Sequence, residues 1–116
     1  MNELSGLEQL REMMATNARP SIGRTLDFRL VEIGDGLAVF EGTPDERTYN
    51  PMGTVHGGYA ATLLDSACGI ATHSRLAPGQ GYTTLAPARA FAEAKLTDND
   101  GRLLASASST LLITTP

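Results

Sequence analysis

The residues of this chain whose types could do chemistry cluster around the start of one apolar segment. His56 is followed by Gly57 and Gly58, and Asp65 lies in the middle of the run 59–73. Glycines at the start of a helix leave backbone N–H groups open to a ligand, because they carry no Cβ. A carboxylate can act as a general base or as a nucleophile. The pattern predicts a site that combines amide donors with one acid group.

Both features also have structural explanations. A pair of glycines can simply provide a tight entry from a loop into a helix. An aspartate within a buried helix is costly unless it is paired or used, and the hydroxyl groups of Thr62 and Ser66 are close enough in sequence to satisfy Asp65. Burial in apolar surroundings would raise the pKa of this carboxyl and strengthen it as a base. At this point the residues leave both explanations open.

The elements that must position these residues follow from periodicity. Leucines at helical spacing, together with Ser5 and Glu8 as a capping box, predict a short amphipathic helix over 5–16. The run 57–75 is rich in Ala, Leu and Ile, and it predicts a long central helix that is buried nearly all round. Alternating patterns and turn residues predict strands over 25–33, 37–43, 81–85, 90–97 and 102–115. The prediction is an α+β domain with one long helix on an antiparallel sheet.

Composition argues against several functions. The chain has 116 residues, enough for one compact domain. Its net charge of −4 argues against general nucleic-acid binding. The single cysteine, Cys68, gives neither a disulfide framework nor a metal cluster, and we interpret it as a core residue in a reducing, cytoplasmic protein. The N-terminus lacks the apolar core of a signal peptide, and no apolar run is long enough for a membrane span.

The order of these elements, with the spacing of the polar residues, resembles the hotdog-fold acyl-CoA thioesterases of the PaaI-like, phenylacetate-pathway branch. His-Gly-Gly alone is a weak motif, but here Asn50 precedes the histidine by six positions and Asp65 follows it by nine. The resemblance spans 25–114, and its motif residues are Asn50, His56, Gly57, Gly58, Asp65 and Gly69. It implies a single hotdog domain over 1–116, in which an antiparallel sheet wraps a long central helix. It also implies cofactor-free hydrolysis of acyl-CoA esters with small or aromatic acyl groups.

The resemblance assigns roles to these residues. The Gly57 N–H would polarise the thioester carbonyl, and Asp65 would either attack it or activate a water. His56 would hold the loop or hydrogen-bond near the thioester, with a purely structural cap as the alternative. Asn50 would orient the water or the carbonyl, or else form an Asn-Pro turn. Weaker candidates for substrate binding are Gly58, Ser66, Thr83 and Thr84.

Helix geometry predicts that a working site needs two copies of the chain. Gly57 and Asp65 are eight residues apart, which separates them by roughly 12 Å along a helix and turns their side chains apart. One helix can hardly direct both groups at one carbonyl. An antiparallel second copy would bring Asp65 of one subunit to Gly57 of the other. We therefore expect a homodimer or homotetramer with sites at the subunit interface.

The chain departs from the resembled family after the third strand. The family has a further stretch there that completes one central strand and forms most of the next, whereas here 85–89 bridges the space directly. Pro87 is also a poor residue for a central strand. Either the sheet is shortened or residues are missing from the sequence, and we favour the second, because a missing sheet centre would expose the helix.

Two other functions remain open at this point. The same fold could serve an acyl-thioester hydratase or dehydratase, although the pattern of those relatives is not visible here. It could also serve a non-catalytic module that binds acyl-CoA, which a shortened sheet would favour.

Overall fold

The protein is an α+β structure in which a long central helix packs against antiparallel strands, as predicted. The computed structural model describes residues 4–19, 21–83 and 88–114. Its helices are α1 (Gly6–Ala15), α2 (Ser21–Leu26) and α3 (Gly57–His73), with a short 3-10 helix at Glu46–Thr48. Its strands are β1 (Phe28–Gly34), β2 (Leu37–Gly42), β3 (Gly81–Thr83), β4 (Ala88–Thr97) and β5 (Leu103–Thr114).

The core lies where the strands cover α3. Leu63, on α3, packs in one buried cluster with Phe28 and Tyr59, and Leu64 packs in a second cluster with Cys68 and Ala94. Both leucines are only 6% exposed, and burying such a side chain stabilises a fold by roughly 1.5–3 kcal/mol. The interpretation of Cys68 as a core residue is confirmed, since it is 1% exposed.

The prediction that α3 is buried nearly all round is wrong for the single chain. The helix residues Gly57, Gly58, Ala61 and Asp65 are all exposed. The strands cover one side of the helix, and the exposed residues of the other side, apart from Asp65, are Gly and Ala, which expose little apolar surface when they are left in solvent. Because Gly and Ala do not mark a polar face, the helix read as uniformly apolar.

The strands form two sheets, whereas the sequence predicted one. β1 and β2 form an antiparallel pair, and the second sheet has the order β3-β5-β4. Both β2 and β4 pack on α3, yet within the described residues they do not pair with each other. Residues 84–87, which connect β3 to β4, lie outside the described residues. The exposed residues of α3 do not lie beneath the gap between β2 and β4, where Leu63 and Leu64 are only 6% exposed, so the choice between a shortened sheet and missing residues stays untested.

Most element boundaries agree with the sequence. Ser5 and Glu8 form the predicted capping box at the start of α1, and Gly101 provides the predicted turn between β4 and β5, with φ at +81°. The predicted strand 25–33 is wrong at its start, because its first two residues end α2. Asp27 lies between α2 and β1, and its φ of +57° is uncommon for a residue other than glycine.

Candidate active site at the start of the central helix

His56 is the N-cap of α3 and is held by three short hydrogen bonds. Its Nδ1 accepts from the Gly58 N–H at 2.8 Å, and its own N–H donates to the Thr48 carbonyl at 2.8 Å. Its carbonyl accepts from the Tyr59 N–H at 3.0 Å. Because Nδ1 is an acceptor here, the neutral ring carries its proton on Nε2. The structural alternative for His56 is therefore realised, and a role near the thioester stays a prediction.

The Gly57 N–H is the open donor at the tip of α3. It makes no hydrogen bond within the described part of the chain, whereas the next two amides, of Gly58 and Tyr59, are used by His56. Gly57 is exposed, and a Cβ built on it would meet no atom within 4 Å. The positive end of the helix dipole adds to the donor. The position is suited to an oxygen that gains negative charge.

Gly58 has a different constraint from its neighbour. A Cβ on Gly58 would lie 2.9 Å from Nδ1 and 3.3 Å from Cε1 of His56, a contact that would displace the imidazole. Glycine at this position is therefore explained by the close approach of the capping ring. Its predicted role in substrate binding remains untested.

Asn50 organises the loop that leads to His56. Its Oδ1 accepts from the N–H groups of Met52 at 2.9 Å and Thr54 at 3.2 Å, and its Nδ2 donates to the Thr54 hydroxyl at 2.8 Å. Its backbone N–H donates to the Thr54 carbonyl at 2.8 Å. The turn that the sequence offered as an alternative is thus formed. Any contact of Asn50 with water or substrate stays a prediction.

Asp65 lies two turns beyond the tip of α3, on an exposed face. Seven helical steps place it nearly in line with Gly58, and Ala61 is exposed between them. The expected burial of Asp65 is therefore wrong for the single chain. Thr62, one of its proposed partners, instead donates its hydroxyl to the Gly58 carbonyl at 2.8 Å, while Ser66 is half-buried. One chain does not bring Asp65 to the Gly57 amide.

The two threonines that were predicted to bind substrate, Thr83 and Thr84, are not among the residues at the start of α3. Thr83 is the last residue of β3, where its backbone pairs with Leu112. Thr84, like Pro87, lies outside the described residues. Neither prediction of substrate binding is tested.

A cavity beside the helix tip contains residues that sequence reasoning missed. Its volume is about 230 Å³, and its lining includes Arg47, Thr48, Tyr49, His56 and Tyr59. The Arg47 guanidinium is held by two-point contact with the Asp45 carboxylate at 2.8–3.2 Å. Hydrogen bonds from Arg47 lower the pKa of Asp45. No motif spacing marks these loop residues, because they reach the cavity only once the 3-10 helix has folded.

The remaining groups near the helix give no further reactive centre. Burial raises the pKa of the Cys68 thiol, and the charges of Asp65 and Glu93 raise it further, so the thiol stays protonated. Within 4–19, 21–83 and 88–114, no three His, Cys, Asp or Glu side chains cluster as metal ligands would. In the same ranges, no helix combines the length and apolar character needed to cross a bilayer.

Comparison with known structures gives several matches over most of the chain. A thioesterase of Haemophilus influenzae superimposes with a TM-score of 0.77 at 16% identity, over 90% of each chain. A thioesterase family protein of Silicibacter pomeroyi gives 0.70 at 21% identity, over 92% of this chain and 98% of that one. This chain has the hotdog fold. The PaaI protein of the E. coli phenylacetic acid degradation operon gives 0.64 at 14% identity, over 90% and 89%.

The hotdog fold confirms the architecture that the resemblance implied. At these identities the likeness concerns the fold, and the reaction has to be argued from the residues. No model of a known protein family matches the sequence, and no curated protein sequence matches it. The geometry at the start of α3 therefore carries the functional argument.

Proposed function

We propose that this protein hydrolyses acyl-CoA thioesters to a free acid and CoA. The observation that carries the proposal is the Gly57 N–H at the tip of α3, which belongs to an exposed residue and has no hydrogen-bond partner among the described residues. Such an amide, backed by the helix dipole, stabilises the oxyanion that forms when a thioester carbonyl is attacked. The fold shared with several thioesterases supports the same reaction.

The second catalytic group in the proposal is Asp65 of a second copy. In one chain, Asp65 and Gly57 are about 12 Å apart along the helix, and both are exposed. Two α3 helices that pack antiparallel through this exposed face would set Asp65 of each copy opposite Gly57 of the other. The carboxylate would then attack the carbonyl or remove a proton from the attacking water, and CoA would leave as its thiol.

His56 and Asn50 complete the proposed site as positioning residues. The His56 cap consumes the Gly58 N–H, which leaves Gly57 as the free donor at the tip. Asn50 closes the turn that brings the loop back to His56. Small or aromatic acyl groups are the substrates we propose, since structures similar to this one include PaaI and a phenylacetic acid degradation-related protein of Ralstonia eutropha.

A pair of substitutions at Gly57 tests the proposed oxyanion donor. Gly57→Pro deletes the N–H, and proline is favoured at the first position of a helix, so α3 should still form. Gly57→Ala keeps the N–H and adds a methyl group into open space. We expect CoA release to fall about 100- to 1,000-fold in the proline variant, with a much smaller loss in the alanine variant. Equal rates in the two folded variants would exclude the amide as a catalytic donor.

The role of Asp65 is tested by Asp65→Asn, with release of free CoA measured from phenylacetyl-, hydroxybenzoyl- and short-chain acyl-CoA. Loss of the base or nucleophile should lower kcat by about 100-fold or more. Asp100→Asn is the matched control, because Asp100 is an exposed residue of the β4–β5 turn. Turnover at the wild-type level in Asp65→Asn would refute the assigned role.

A non-catalytic acyl-CoA-binding module is the second candidate, and one observation favours it. Within the described residues, β2 and β4 do not pair across the groove that Leu63 and Leu64 line, so the sheet is not continuous there. Stoichiometric binding of an acyl-CoA without release of CoA, measured by calorimetry and a thiol assay on the same sample, would select this candidate.

A further inference from the structure

The side chain of Tyr59 joins the first turn of α3 to the hairpin formed by β1 and β2. Tyr59 is the third residue of α3, and its N–H donates to the His56 carbonyl at 3.0 Å. Its side chain is 6% exposed and packs with Phe28 of β1 and Leu63 of α3. The ring therefore connects the part of α3 that carries the Gly57 N–H to the strands on which it packs.

The far end of this ring lies against Gly42, the last residue of β2. Gly42 pairs with Phe28 across the hairpin, and a Cβ built on Gly42 would overlap the Tyr59 hydroxyl. The same Cβ would lie 3.0 Å from the Phe28 Cβ and 3.2 Å from the Asp27 carbonyl oxygen. Since the φ of Gly42 is not positive, glycine at this position is explained by the close approach of the tyrosine.

The Tyr59 hydroxyl has no hydrogen-bond partner within the described residues, although it is buried. Burial raises the pKa of this hydroxyl, and the charges of Asp27 and Asp45 raise it further, so it stays protonated at neutral pH and is not placed to exchange a proton with a substrate. An unpaired buried hydroxyl also costs stability, so stability alone would favour phenylalanine here. What the oxygen adds is length, which brings the end of the ring against Gly42.

We propose that Tyr59 and Gly42 are positioning residues for the Gly57 N–H, an inference that rests on the proposed function. The end of the ring abuts β2, while the Tyr59 N–H holds the His56 carbonyl, so contact with the strand sets where the first turn of α3 lies. A methyl group on Gly42 would push the ring and the first turn away from the strand. A displacement of about 1 Å at a catalytic group can lower a rate by about 100-fold.

The first test is Gly42→Ala, with Gly34→Ala as the matched control. Gly34 lies at the other end of the same hairpin, paired with Leu37, and a Cβ built on it would make ordinary contacts with that side chain at 3.7 and 3.8 Å. With phenylacetyl-CoA, Gly42→Ala should lower kcat at least about tenfold and leave KM unchanged, because the displaced donor acts on the transition state. Gly34→Ala should keep the wild-type kcat.

A second substitution should reverse the effect of the first. Tyr59→Phe removes the oxygen that the new methyl group of Gly42→Ala would overlap, and the remaining contacts with Phe28 and Asp27 need only small shifts. The kcat of the double variant should be at least about threefold higher than that of Gly42→Ala, because the two positions are in contact and their effects are not additive. A loss that arose within β2 alone would not be reversed by a change in α3.

A further pair of variants decides the proposal if Gly42→Ala does not fold. Phe40 of β2 packs on the same buried cluster as Tyr59, so Tyr59→Leu and Phe40→Leu each remove an aromatic ring from one core. Both should lower the urea midpoint. Only Tyr59→Leu should lower the kcat of the folded protein, because only Tyr59 belongs to the turn that carries the amide. A change in kcat that is equal in the two variants would overturn the proposal.

The surroundings of the amide can also be measured without turnover. In proton–nitrogen correlation spectra, the Gly57 resonance should shift in Gly42→Ala, return toward its wild-type position in the double variant and stay in place in Gly34→Ala. The proposal is overturned if folded Gly42→Ala leaves this resonance or kcat unchanged, or if Tyr59→Phe restores neither. Wild-type protein that hydrolyses no acyl-CoA would refute the proposed function, and the spectra would still decide whether Tyr59 and Gly42 position the amide.

Discussion

At the scale of single residues, the start of α3 shows what a motif can and cannot predict. The glycine pair correctly predicted a helix start with an open amide. The cap itself was only one of two alternatives, because histidine is not among the preferred N-cap residues. Sequence reasoning gave Gly57 and Gly58 different roles, but it offered one physical reason for both glycines, the lack of a Cβ. The structure separates them, since only Gly58 lies against the His56 ring.

This difference predicts that alanine stabilises the protein at Gly57 but not at Gly58. Gly57→Ala adds a methyl group in open space and lowers the entropy of the unfolded chain, so the free energy of unfolding should rise by a few tenths to about 1 kcal/mol. Gly58→Ala gains the same entropy term but displaces the His56 cap, which is worth about 1 kcal/mol. Urea unfolding should therefore show Gly58→Ala to be the less stable variant by about that amount. Equal midpoints would mean that the cap contributes nothing.

At the scale of elements, the sequence did not predict that the start of α1 packs against the C-terminal end of α3. The Gly6 N–H donates to the Leu76 carbonyl at 2.9 Å, and Gly6 lies against the His73 carbonyl so closely that a Cβ would overlap it. The His73 Nε2 is 2.8 Å from Oε1 of Gln9. Capping signals predicted α1 itself, but local sequence patterns do not specify which distant element a helix packs against.

The contact between α1 and α3 includes His73, so the stability of the protein should depend on the protonation of this residue. Burial lowers the pKa of His73 below its ordinary value of 6.5, so the unfolded chain binds the proton more readily than the folded chain. Stability attributable to His73 is then complete above about pH 6.5 and declines as the pH falls below it. Urea midpoints at pH 7.5 and 5.5 should differ more in the wild type than in His73→Gln. An equal difference in the two proteins would contradict this assignment.

The strands show the same limit as the helices. Alternation and turn residues predicted each of the strands β1 to β5 that the described residues form, but not their division into two sheets. Strand pairing depends on residues that are distant in the sequence, and the alternation of apolar and polar residues within one strand does not specify them. The end of α2 was interpreted as strand because the alternating pattern of 25–33 continues through Asp27, whose φ is +57°.

At the scale of the whole molecule, the candidate site is incomplete in one chain. The sequence supplied the residue types, and helix geometry alone predicted that Gly57 and Asp65 could not meet on one helix. The structure leaves both on the exposed face of α3, as a site shared between two copies requires. Which surface the second copy uses depends on a partner that no single-chain pattern describes.

Mixing two inactive variants tests this shared site most directly. Gly57→Pro and Asp65→Asn chains are purified separately, then unfolded and refolded together, and release of CoA from phenylacetyl-CoA is measured. A mixed dimer has one site with both groups intact and one site with neither, so an equal mixture should recover about a quarter of the wild-type rate. A mixture that stays as inactive as its two components, while size-exclusion chromatography shows dimers, would contradict the account.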